Sequence, residues 1–154
     1  MIETFEYSLN FLKRPNFEPE EFFYSDKARM LNIDNYTDDV EILDNLITTA
    51  DKIQEVRSLL KKLIKITSGY RSPLLNSAVG GSPRSQHMKG QAVDFICPQF
   101  GTPEEIVKQI KAKGVVVDQC LIERSWVHLS ITKDNNRNIF GYYINNEFKP
   151  LCPI

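Results

Sequence analysis

Both histidines of this chain fall in one arrangement: Ser85-Gln86-His87-Met88-Lys89-Gly90-Gln91-Ala92-Val93-Asp94, followed later by Trp126-Val127-His128. Neutral imidazole and carboxylate are donors that suit Zn²⁺, and a catalytic zinc commonly takes three protein ligands and keeps a fourth position for water. Two histidines and an aspartate meet that number. The demand constrains the fold, because the chain has to turn between His87 and Asp94 and then bring His128 back from a later strand. Gly90 and Ala92 suit the turn, being small enough to leave room beside the backbone.

The flanking patterns agree. Ala92-Val93-Asp94-Phe95-Ile96-Cys97 reads as a buried strand on which Asp94 shares a face with Ala92 and Ile96. An unpaired carboxylate there would be costly, so a cation is its natural partner. Val115 to Ile122 is a β-rich run. Trp126 to Ile131 alternates, with Trp126, His128 and Ser130 on one face and Val127, Leu129 and Ile131 on the other. The ordinary alternative is a loop histidine at 87 and a satisfied core histidine at 128. The shared pattern with Asp94 favours a metal site.

The pattern Ser-x-His-x-x-Gly-x-Ala-x-Asp with a later Trp-x-His resembles the zinc D-alanyl-D-alanine carboxypeptidase and dipeptidase family, subfamily A of peptidase M15, whose relatives include phage endolysins. Thr67-Ser68-Gly69-Tyr70-Arg71-Ser72, Asn76 and Val79-Gly80-Gly81 extend the resemblance, which covers about residues 17 to 131. It implies an α+β fold, a small mostly antiparallel sheet carrying a zinc site and flanked by helices. It also implies His87, Asp94 and His128 as ligands of one Zn²⁺, with cobalt or manganese able to use the same donors. Arg71 matches an arginine that polarises the scissile carbonyl or binds a substrate carboxylate, a task suited to a guanidinium. A surface salt bridge is its ordinary alternative. Ser85 and Trp126 are expected beside Arg71 among the substrate-binding residues.

The general base departs from the family pattern. The position three before the last histidine holds Ser125, and the nearest acid is Glu123. On one continuous strand Glu123 and His128 would face opposite ways. A tight turn at Arg124-Ser125 would put them on neighbouring strands and let Glu123 serve as catalytic base. Asp118 is the reserve. The expected activity is therefore metal-assisted hydrolysis of peptidoglycan stem peptides, as a D,D-carboxypeptidase or an endopeptidase. The alternatives are a catalytically weak or inactive zinc-binding module, such as a phage virion component, and a zinc-dependent receptor-like binder.

Composition fits one domain over residues 1–154. A formal net charge of -1 and no basic stripe among aromatics give no reason to expect a nucleic-acid partner. Lys52, Arg57, Lys61, Lys62 and Lys65 read as a solvated helix face. Cys97, Cys120 and Cys152 show no CxxC spacing, and the first two read as small core residues. Met1 to Glu6 lacks the start of a secretory signal, and no run is long enough to span a membrane. The expectation is a monomer kept in the cytoplasm unless a phage lysis pore releases it or a virion carries it.

For secondary structure, Phe17 to Ile33 is expected to hold helix capped at Ser25-Asp26. Val40 to Leu60 is a long helix with a stripe at Val40, Leu43, Ile47, Ala50, Ile53, Val56 and Leu60. Leu63 to Thr67 is a first strand. Thr102-Pro103-Glu104-Glu105 opens a helix that ends near Gly114. Ile139 to Phe148 is a hairpin turning at Asn145-Asn146, expected at a sheet edge, with a wall of the cleft as the alternative. That hairpin and Ser72 to Arg84 would set which bond is cut.

Overall fold

A computed structural model of the chain describes residues 9–151. Cys152 and the Met1 to Glu6 segment lie outside them. Four α-helices and six strands are present among these residues: α1 Asp26–Met30, α2 Val40–Leu60, β1 Lys65–Ser68, α3 Pro73–Ala78, β2 Ala92–Ile96, α4 Pro103–Ala112, β3 Gln119–Glu123, β4 Trp126–Ser130, β5 Ile139–Ile144 and β6 Glu147–Pro150. Single 3₁₀ turns occur at Asn10–Leu12, Pro19–Phe22 and Gln86–Lys89.

The strands form one sheet in the order β1-β2-β4-β3-β5-β6. Its pairs are antiparallel except β3 with β5, which is parallel, so the expected α+β fold holds while the sheet is mixed. The parallel pair arises because the chain leaves β4 through an extended loop, residues 131–138, and re-enters on the far side of β3. A short hairpin could not make that connection.

Strand alternation gives the sheet two unlike faces. Val93, Phe95, Cys120, Ile122, Val127 and Leu129 point to a core with Ile53, Val56 and Leu60 of α2 and Ile106, Val107 and Ile110 of α4. Cys97 and Cys120 are buried free thiols in that layer, and burial pushes both thiols up from their ordinary pKa. The opposite face carries Asp94, Leu121, Glu123, Trp126 and His128 and is left open by the helices.

Local signals account for the helix limits. Asp39 caps α2 through the backbone N–H groups of Glu41 and Ile42, and Lys61 ends it in the left-handed conformation. Thr102 and Glu105 form the reciprocal capping box of α4. Ser25 caps α1, but much of the Phe17 to Ile33 segment is not α-helix, and its Phe17, Phe22 and Phe23 enter the core from irregular chain. The first half of the α2 stripe is also displaced: Val40 is 80% exposed, whereas Leu46 and Thr49 are buried. The cause is tertiary. Thr49 donates its hydroxyl to the carbonyl of Gly90 at 2.7 Å, which turns this face toward the His87 loop.

Strand limits differ more. β1 begins at Lys65 rather than Leu63, and β3 begins at Gln119 rather than Val115. Asn145 and Asn146 both take positive φ, 55° and 61°, and close the β5–β6 hairpin as expected. The hairpin extends the sheet edge, and Tyr143, Asn146 and Phe148 also line the cleft over the open face.

Candidate metal centre and active site

Asp94 of β2 lies directly across from His128 of β4, so two of the expected ligands are neighbours in one antiparallel pair. The third arrives from the turn before β2. Ser85 caps the 3₁₀ turn Gln86–Lys89 by accepting the N–H of His87, and Gly90 ends it at φ +73°. A Cβ at Gly90 would sit 2.7 Å from the Ile42 carbonyl, so glycine lets this turn press against α2. Asn45 of α2 also holds the Lys89 carbonyl, at 2.9 Å.

These contacts bring the three side chains together. Asp94 Oδ1 lies 3.2 Å from His87 Nε2 and 2.9 Å from His128 Nδ1. One ligand atom from each residue falls within 4.8 Å of the others, a cluster able to hold a metal ion. The donor chemistry fits zinc. His87 Nδ1 lies 2.8 Å from the Gly69 carbonyl, which can only accept, so the proton is on Nδ1 and the Nε2 lone pair faces the cluster. Gly69 itself admits no side chain, since a Cβ would run into the Phe22 carbonyl.

Electrostatics distinguish the three residues. Burial holds the His87 pKa below its ordinary value, which keeps the imidazole neutral as a ligand must be. For Asp94 burial acts upward, but the two imidazoles outweigh it and keep the carboxyl well below the usual range. For His128 burial acts downward and is outweighed by the hydrogen bond and charge of Asp94 and by the charge of Glu123, so its pKa is raised.

Arg71 stands beside the cluster. Its Nε donates to Ser68 Oγ at 3.0 Å, Nη2 to Asp94 Oδ2 at 3.3 Å, and Nη1 to Asn76 Oδ1 at 3.4 Å. A guanidinium has five N–H groups, so one on each Nη is left to donate. Arg71 is therefore more than a surface salt bridge: it is part-buried, braced at three nitrogens and lines the cleft. Asn35 organises this element from a distance. Its buried amide donates to the carbonyls of Phe23 and Tyr70 at 2.9 and 2.8 Å, and its Oδ1 accepts the Ser72 N–H at 2.8 Å. The polar segment Asn32 to Asp39 carries no sequence signal for that role.

The two acidic candidates have different surroundings. Glu123 pairs with Trp126 across the two-residue turn Arg124-Ser125, and Leu121 pairs with His128. Residues opposite one another share a face, so Glu123, Trp126 and His128 all look into the cleft. Trp126 donates its indole N–H to Glu123 Oε2. Burial, and then the charge of Asp94, raise the Glu123 pKa. Asp118 is 2% exposed and fully engaged: Oδ1 accepts from Arg137 N and Nε, and Oδ2 accepts from Arg137 Nη2 and Gln86 Nε2. Arg137 holds its carboxyl below the ordinary value. With its acceptor positions filled, Asp118 works as a clamp between the His87 turn and the loop before β5.

The cleft over this face has a volume of about 1300 Å³ and is lined by Arg71, Ser85 and Trp126 together with His87, Asp94, His128 and Glu123. A family model described as peptidase M15 matches residues 15–130 of the chain. The chain belongs to the peptidase M15 family. Peptidase M15 is a family of zinc metallopeptidases, in keeping with the His87, Asp94 and His128 cluster. No significant match is found among curated proteins. The β5–β6 hairpin, which contributes to one wall of the cleft, lies beyond the matched residues. No helix among the described residues is long and apolar enough to cross a membrane.

Proposed function

We propose that this chain is a single-domain zinc peptidase that hydrolyses an amide bond in peptidoglycan stem peptides, as a D,D-carboxypeptidase or an endopeptidase. The observation that carries the reading is the convergence of His87, Asp94, His128 and Glu123 on one sheet face inside an open cleft.

When bound by His87, Asp94 and His128, zinc supplies Lewis acidity that polarises a carbonyl and acidifies water. The residues around it do the remaining work. Glu123 has one oxygen engaged by Trp126 and the other available to accept a proton from the attacking water and return it to the leaving amine. Its raised pKa moves it toward the range in which a carboxyl both takes and gives a proton near neutrality. Arg71 presents its unengaged N–H groups to a substrate carboxylate or to the negative charge developing on the carbonyl oxygen. Ser85 keeps the His87 turn in place as its cap and borders the substrate cleft. Delivery to the wall by a phage, through a lysis pore or in a virion, belongs to the same reading, as does action by a monomer.

The test is the metal content of the purified protein together with cleavage of purified muropeptides, with and without chelator and added zinc. One zinc per chain and chelator-sensitive release of peptide products are expected. Bound zinc with no hydrolysis of any muropeptide would overturn the enzymatic reading in favour of a binding module.

A further inference from the structure

We infer that Trp126 is the positioning residue for the base: its indole N–H holds Oε2 of Glu123, leaving Oε1 as the oxygen presented to the cleft. The inference rests on the peptidase reading above and assigns Trp126 a role that acts through Glu123 rather than by direct contact with substrate.

Three observations support it. Glu123 is the last residue of β3, next to the exposed pair Arg124-Ser125, so the backbone beyond it offers no lateral support. A glutamate there has three rotatable side-chain bonds to restrain. Second, Trp126 is its direct partner in the register, and its indole N–H reaches the carboxylate. Opposed residues of an antiparallel pair have Cβ atoms close enough for this contact without distorting the turn. Third, an indole N–H is a donor with no acceptor capacity. It can fix a carboxylate oxygen but cannot take the proton that Glu123 receives, so the proton is left to Oε1.

Packing does not require a tryptophan at this position. The core-facing residue of this hairpin end is Val127, which is fully buried, whereas Trp126 is half-buried on the cleft side. The parity also explains how an acid five positions before the last ligand can serve at all. The two-residue turn rotates Glu123 onto the His128 face, and the tryptophan opposite restrains it there.

The test uses the fact that the chain has one tryptophan, so its indole N–H gives a single nuclear magnetic resonance signal. In the zinc-loaded protein this signal is expected downfield and slow to exchange with solvent, and Glu123→Ala should move it toward the free-indole position. In kinetics, Trp126→Phe keeps an aromatic ring and removes the donor. Loss of one hydrogen bond to a charged group should lower kcat about tenfold to a hundredfold. KM should stay within about twofold and zinc content should be unchanged. In a Glu123→Gln background the same substitution should cost nothing further, because the two residues act as a unit. Should Trp126→Phe fail to fold, benzothienylalanine at position 126 preserves the shape without the N–H. An indole signal indifferent to Glu123→Ala would overturn the inference, as would a raised KM at constant kcat or an equal loss in both backgrounds. A wild-type chain that binds zinc and cleaves nothing would instead overturn the peptidase reading, and the indole signal would still decide the pairing.

Discussion

Replacing Asp118 by asparagine separates a clamp from a base. The aspartate accepts four hydrogen bonds, two at each oxygen, three from Arg137 and one from Gln86. Asparagine keeps one acceptor and turns an amide NH₂ toward two donors, so two of the four contacts are lost whichever way the amide lies. Either rotamer breaks at least one bond from the charged Arg137. The Arg137 side chain is 54% exposed and can be rehydrated, which spares the full penalty of a stranded buried charge. The net cost is about 2 to 3 kcal/mol at pH 7, and for a chain of this size the melting temperature should fall by roughly 5–10 °C. The effect should depend on pH with a definite sign. The folded-state pKa of Asp118 is depressed, so its contribution is present above the unfolded value of about 3.9 and is lost as pH falls through the folded value. Thermal unfolding of both proteins across the acid range would show the gap closing in acid. At a temperature where both are folded, the variant should keep kcat within a few fold. Equal stability at pH 7 together with a kcat loss of ~10²–10⁴ would refute the clamp and make Asp118 the base.

Other outcomes follow from the same geometry. Glu123→Gln should retain zinc and lose about 10²–10⁴ in kcat, and full activity in that variant would show that the base lies elsewhere. In the wild type kcat/KM should fall on the acid side as pH drops through the raised Glu123 pKa, because only the carboxylate accepts the proton; a pH–rate profile flat to the ordinary glutamate range would contradict this. His87→Ala should abolish stoichiometric zinc and with it the rise in melting temperature on zinc addition, a gain set by ligand concentration over Kd in the wild type; calorimetry with and without zinc reads this. Phe148→Ala, on the wall beyond the matched family region, should raise KM for the preferred muropeptide while leaving zinc content intact, and an unchanged KM would remove the hairpin from substrate recognition.

Much of the site could be read along the chain. His87 and Asp94 are joined by a short turn, and Trp126 to Ser130 alternates cleanly, so the members of the His87, Asp94 and His128 cluster and the strands that carry two of them were visible as pattern. The capping residues Ser25 and Thr102 were legible for the same reason: a cap acts on N–H groups two or three residues away. The proposed base was half legible. Glu123 as the nearest acid could be read from spacing, but whether it shares a face with His128 depended on the turn at Arg124-Ser125, and the register puts the two on one face. The role of Asp118 was hidden because its partners are Gln86 and Arg137, remote in sequence and brought together only by the sheet.

The amino-acid sequence by itself determined the residue types of the His87, Asp94 and His128 cluster, the span of α2, the boxed start of α4 and the Asn145-Asn146 hairpin. Each is set by interactions within a few residues or by a short period. Tertiary structure alone decided that Val40 faces water while Thr49 faces Gly90, that β5 enters parallel to β3, and that Asn35 braces the Arg71 loop. These depend on which distant segment supplies the partner for a polar group or a strand edge. Periodicity shows which side of an element is apolar, but it carries no information about what lies opposite.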